Sequence, residues 1–239
     1  MEALEIKTVF TISLFGAEIP ITETVIVSWV VMAVLIAGSL LVTRKLKTIP
    51  TGPQAILEAG MEFLNNFSKN QFGAFSKYLG AYIGTLFLFL AVANVIGFVT
   101  PPEIKAFGYT FTPPFHVRPP TRDINVTAAL AVISVSLVLF CGIAARGFKG
   151  WCKHLLHPVP IMLPFNILEY FTRVLSLSLR LFGCVLGGVV MMGLVEKLFP
   201  VGLPMVVSLY FDFFDGLFQA GLFVFLTSIY LSDAVRVHE

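Results

Sequence analysis

Arg180 stands in the run Arg173-Val174-Leu175-Ser176-Leu177-Ser178-Leu179-Arg180-Leu181-Phe182-Gly183-Cys184-Val185-Leu186-Gly187-Gly188-Val189-Val190-Met191-Met192, and it is the only charged residue between Val174 and Val195. A guanidinium keeps its proton in any protein setting. Placing it in hydrocarbon costs ~2.5–3.5 kcal/mol on insertion scales. The apolar and small residues from Leu181 to Val195 put it too deep to snorkel back to water. An arginine in that position is a functional-site candidate, and the chemistry it offers is recognition of an anion.

Other polar residues cluster at helical spacing around it. At about 100° per residue, Glu169, Arg173, Ser176, Arg180, Gly183, Cys184, Gly187 and Met191 share one stripe. Glu169 and Arg173 are i,i+4 and can pair. No acidic residue lies within a turn of Arg180. The small residues Gly183, Cys184, Gly187 and Gly188 leave room for another helix to approach closely. On the last apolar segment Asp212, Asp215, Gln219, Leu222, Phe223 and Leu226 share a second stripe. Two carboxylates at i,i+3 in an apolar helix are costly unless hydrated or neutral. They suit a proton-accepting, water-lined cavity; the other reading is a salt bridge to Arg173 or Arg180. Gln219 is the best candidate to hydrogen-bond the surroundings of the arginine. Asn94, Asp123 and Asn125 are further polar points, and Asp123 and Asn125 are also candidate helix caps.

These residues need elements to hold them, and the composition says which. The chain of 239 residues is 57% hydrophobic and 13% charged, against about 25% charged in soluble domains. Long continuous apolar runs recur, without the period-2 alternation of a membrane barrel. The expected fold is all-α: a polytopic helical membrane protein with a single membrane domain over residues 1–239. Spans are expected at 25–43, 79–99 and 123–145, with an interfacial amphipathic helix at 54–77 where Leu57, Met61, Leu64, Phe67 and Phe72 interleave with Glu58, Glu62, Asn65 and Lys69. Residues 100–122 hold six prolines and no long apolar run, which predicts a loop outside the bilayer. Segments 161–198 and 201–235 are helical patterns parted by Pro200. Thirty-five residues make roughly 52 Å of helix, more than the ~30 Å hydrocarbon core. A long, strongly tilted hairpin is expected there, giving five transmembrane helices in all.

Basic residues set the orientation. Arg44, Lys45, Lys47, Lys69 and Lys77, and then Arg146, Lys149 and Lys153, fall on one side of that topology. Glu2, Glu5, Glu18 and Glu23 outnumber Lys7 on the other. The N-terminus is expected outside and the C-terminus in the cytoplasm. The first residues lack the basic region of a cleavable signal peptide, so the first apolar run is read as a retained span. A net charge of +2 gives no reason to expect nucleic acid. Cys141, Cys152 and Cys184 show no ligand spacing, so no metal or cofactor is expected. No glycine-rich phosphate loop is present. No internal repeat is visible, which disfavours an inverted-repeat transporter.

The run Leu175-Ser176-Leu177-Ser178-Leu179-Arg180-Leu181-Phe182-Gly183 closely resembles the signature of subunit a of the rotary F-type ATP synthase, bacterial type. The resemblance extends to Ala93-Asn94-Val95-Ile96-Gly97, to Pro120-Thr121-Arg122-Asp123-Ile124-Asn125-Val126-Thr127, to Leu217-Phe218-Gln219-Ala220 and to Leu226-Thr227-Ser228-Ile229-Tyr230-Leu231-Ser232. It implies a non-catalytic membrane stator beside a rotating ring of c subunits, with b-type peripheral stalk subunits, the rest of the complex and membrane lipid as further partners. It implies that Arg180 faces the ion-binding carboxylate of each passing c subunit, promotes ion release and blocks leakage between two offset half-channels. Gln219 and Arg173 match the family's glutamine and basic position. The ion path is then expected to include Arg180, Gln219, Asp212, Asp215, Arg173, Asn94 and Asp123, with Ser176, Gly183, Cys184 and Gly187 packing against the ring. Family members commonly carry Asn where Cys184 stands, Glu or His at Val189, and His or Glu at Asp212. Asp212 and Asp215 are therefore expected to replace the usual Glu–His pair, and the coupling ion stays open between H+ and Na+. The implied location is a cell membrane, the bacterial inner membrane. The competing readings are a self-contained ion channel or secondary transporter, which needs a counter-ion for Arg180 in the chain, and a membrane scaffold, in which Arg180 is replaceable.

Overall fold

A computed structural model of the chain describes residues 8–14, 17–44, 52–99, 104–106, 109–111, 119–156, 161, 163–199 and 203–235. The expectations resting on Glu2, Glu5, Lys7, Lys45, Lys47 and Pro200 fall outside them. The protein is an all-α polytopic membrane protein: five helices are long and apolar enough to cross a membrane. The helices are α1 (Glu23–Thr43), α2 (Pro53–Phe72), α3 (Ser76–Val99), α4 (Ile124–Leu156), α5 (Leu163–Leu198), α6 (Leu203–Ser208) and α7 (Gly216–Val235). Two small antiparallel hairpins accompany them. Strands β1 (Thr8–Leu14) and β2 (Ala17–Thr22) pair from Thr8↔Thr22 to Leu14↔Ala17. Strands β3 (Ile104–Ala106) and β4 (Tyr109–Phe111) give the proline-rich connection a short ladder.

The chain divides into two units. One comprises Met1–Ala37, Phe89–Thr127 and Arg180–Ala220; the other comprises Gly38–Leu88, Ala128–Leu179 and Gly221–Glu239.

In the first unit, α1 is apolar nearly all round, as a lipid-exposed helix must be. Of its side chains only Thr24, Ser28 and Val31, at i, i+4 and i+7, are buried. Ser28 returns its hydroxyl to the Thr24 carbonyl at 2.9 Å, which satisfies it without water. Asp123 caps α4: its Oδ1 accepts the Asn125 amide at 2.9 Å and its carbonyl accepts the Thr127 amide at 3.1 Å. Of the two candidate caps, Asp123 is therefore the one used.

In the second unit, the stretch 54–77 does not form one helix. Pro53 opens α2 at the position where its missing amide costs nothing. Gly73 closes it at φ 52°, returning its amide to the Lys69 carbonyl. A 3-10 turn, Gly73–Phe75, then leads into α3, so Ser76 and Lys77 belong to the spanning helix. The two helices run antiparallel and approach closely where α3 has glycine. A Cβ at Gly80 would meet Ser68 Oγ at 2.5 Å, and one at Gly84 would meet Leu64 at 3.5 Å. Tyr82 and Ser134 join α3 to α4 at 2.9 Å, and Ser232 donates to the Gln71 carbonyl at 2.9 Å. Helix α4 runs on past residue 145 to Leu156 across a kink at Gly147, whose φ of 71° no L side chain adopts easily.

The last apolar segment is not a plain α-helix. Between α6 and α7 the residues Leu209–Asp215 wind as a π-helix, a rare form that is frequent at functional sites.

Candidate functional site

In the first unit, Arg180 projects from α5 and is exposed. Among the described residues it makes no ion pair and no hydrogen bond. Gly183 and Gly187, one and two turns on, are also exposed, and nothing lies within 4 Å of where their Cβ atoms would be. The arginine therefore stands on an open, flat strip of helix. The opposite side of α5 is the inner one, with Leu181 fully buried. Gly188 turns inward against Phe211 of the π segment, at 3.4 Å from a Cβ built there. Cys184 also turns inward rather than along the open strip. Its thiol donates to Gln219 Oε1 at 3.5 Å. Of the residues expected to pack against a partner, Gly183 and Gly187 share the open face with Arg180, and Cys184 does not.

Gln219 is 3% exposed. Its Nε2 has no hydrogen-bond partner among the described residues although it is fully buried. A buried amide nitrogen in that state is costly unless a ligand or a water meets it. Asp215, half-buried, closes the π segment that also holds Asp212. These two acidic residues thus share one wide turn directly before the Gln219 helix, which was expected to be regular.

Two buried polar tethers lie in the same unit. Thr121 donates to Asn94 Oδ1 at 2.6 Å, and Asn94 Nδ2 donates to the Gly216 carbonyl at 2.9 Å. Asp123, 1% exposed, accepts from Thr24 at 2.9 Å and, with its other oxygen, from the Asn125 amide. Hydroxyl and amide donors keep this carboxylate satisfied where a lysine or arginine is commonly needed.

The second unit holds a different cluster. Arg173 pairs with Glu169 at 2.5 Å and with Asp233 at 3.3 Å. Its guanidinium lies over the Tyr230 ring at 4.6 Å and near Tyr170 at 5.6 Å. The i,i+4 pair expected with Glu169 is present. Ser176, on the same helix, is exposed.

The sequence reading passed over Thr24, Thr121, Gly216, Tyr230 and Asp233. Thr121 and Tyr230 lie inside motifs already singled out. Gly216 directly follows Asp215, and only the structure shows the close approach of Asn94 to it. Among the described residues no group of three His, Cys, Asp or Glu side chains could hold a metal ion.

The family model of the ATP synthase A chain matches residues 25–232. ATP synthase subunit a, sodium ion specific, of Propionigenium modestum is 35% identical over 216 residues, which is 90% of this chain and 75% of that protein.

Proposed function

Because this chain belongs to the ATP synthase A chain family, we propose that it is the ion-translocating stator of a rotary ATP synthase and presents Arg180 to the carboxylates of a passing ring of c subunits. The observation that supports this reading is the contrast between two arginines on one helix. Arg173 is saturated within the chain by two carboxylates and two tyrosine rings. Arg180 has no partner among the described residues and is exposed beside glycines. A permanent cation in hydrocarbon needs an anion, and here that anion comes from outside the chain. The glycine strip lets a partner helix approach closely. A carboxylate that arrives, is held in its ionised form and then leaves fits a rotating ring. A fixed bidentate pair inside the chain would bind too tightly to exchange.

Gln219, with its unmet Nε2, stands beside this path. Asp212 and Asp215 supply the carboxylates of one half-channel, in place of the usual Glu–His pair. Asn94 and Asp123 line the approach to it, and Arg173 stands on the other side of the arginine along α5. The chain itself performs no nucleotide chemistry; b-type stalk subunits hold it against the ring. It lies in a bacterial inner membrane with the N-terminus outside and the C-terminus in the cytoplasm. The self-contained transporter reading requires a counter-ion for Arg180 within the chain, and none is found among the described residues.

Disulfide cross-linking of the whole complex tests the facing surface. Gly187→Cys is expected to cross-link to cysteines placed beside the ion-binding carboxylate of a c subunit, and the native Cys184 is not. Cross-linking from Cys184 alone would mean that the ring meets a different face.

A further inference from the structure

We infer that Asn94 and Gly216 are positioning residues: together they hold the π turn Leu209–Asp215 open and fix the register in which Gln219 meets Cys184, one turn beyond Arg180. Every atom of the argument lies in the first unit. The Asn94 amide is oriented from both ends. Its Oδ1 accepts from the buried Thr121 hydroxyl at 2.6 Å, and its Nδ2 donates to the Gly216 carbonyl at 2.9 Å. An acceptor on one side and a donor on the other is what an amide supplies and a carboxylate does not.

Gly216 is required for space, not for backbone freedom. Its φ of −59° is ordinary helix. A Cβ there would come within 2.9 Å of Asn94 Cβ, so any larger residue pushes the amide away from its carbonyl.

The consequence is rotational. A π turn closes on i+5 where an α turn closes on i+4, so it carries one extra residue. Winding Leu209–Asp215 as α-helix would carry every later residue through roughly 100° and about 1.5 Å. The Cys184–Gln219 contact of 3.5 Å does not survive such a turn. Gln219 is three residues after Gly216, so the tether acts within one turn of the residue it positions.

The effect on ion transport rests on the stator reading above; the register itself can be read without it. In membranes holding the whole complex, with Cys141 and Cys152 replaced by alanine, Gln219→Cys is expected to form a disulfide with Cys184 under mild oxidation. Adding Asn94→Asp or Gly216→Ala is expected to slow that reaction about ten-fold, the scale of one lost buried hydrogen bond. With Gln219 retained, the same substitutions lower ATP-driven ion uptake while ATP hydrolysis continues. If both variants fail to assemble, Thr121→Val removes the hydroxyl at constant volume and is expected to slow the cross-link less but measurably. An unchanged cross-linking rate, or no cross-link in the parent, overturns the inference. A slowed cross-link with undiminished uptake upholds the register and instead removes Gln219 from the ion path.

Discussion

Arg173 and Arg180 lie seven residues apart on α5, and their surroundings differ: Arg173 is paired within the chain, and Arg180 has no partner among the described residues. Arg173 stacks on Tyr230 and bridges to Asp233. Its carboxylate partners are 54% and 65% exposed, so each ion pair contributes only about 0–1 kcal/mol. The planar stacking on tyrosine contributes about 0.5–1 kcal/mol more. Arg173→Lys keeps the charge and loses the stacking. It is expected to lower the thermal midpoint of the complex by a few degrees with pumping retained, and a loss of pumping at unchanged stability would show a role in the ion path itself. Asp212→Asn and Asp215→Asn address the carboxylates. Each is expected to reduce coupled ion uptake several-fold, since acidic groups in an apolar helix are kept for function; unchanged uptake in Asp212→Asn would return that half-channel to other residues. Arg180 was legible in the sequence because a lone charge in an apolar run has no inexpensive structural explanation. Gly216 was not, because one glycine among 19 gives no sign of which neighbour approaches it.

At the scale of elements, small residues decide where helices meet. Gly80 lets Ser68 of α2 approach α3, and Ser68 donates to the Ser76 carbonyl at 3.1 Å. Gly80→Ala is expected to cost about 1–3 kcal/mol by overpacking. Ser68→Gly in the same chain frees the space and is expected to restore part of that loss. Thermal unfolding of the complex reads both, and an absence of rescue would show that the strain lies elsewhere. The five spans were legible because length and continuous hydrophobicity are strong signals. The π turn was not, since its sequence keeps an apolar helical pattern. The β1–β2 hairpin left a signal that was passed over: Phe10, Ile12 and Leu14 alternate with Thr11 and Ser13, which is strand periodicity. The break at Gly73 hid at the end of an amphipathic pattern, because Ser76 and Lys77 beyond it are polar as well.

For the whole molecule, the decisive feature is a cation, Arg180, that has no counter-ion among the described residues. Membership of the ATP synthase A chain family makes the chain a membrane subunit of that complex, and the open strip around Arg180 gives the membership a physical content. Family membership is compatible with either H+ or Na+, so the native complex has to be asked with and without Na+. The most direct test is ATP-driven ion uptake into vesicles carrying the whole complex, comparing native Arg180 with Arg180→Ala in the presence and absence of Na+. The stator account predicts that the alanine variant assembles yet pumps no ions, and Na+ dependence of the native complex names the ion. Undiminished, ATP-coupled pumping by the alanine variant would contradict it.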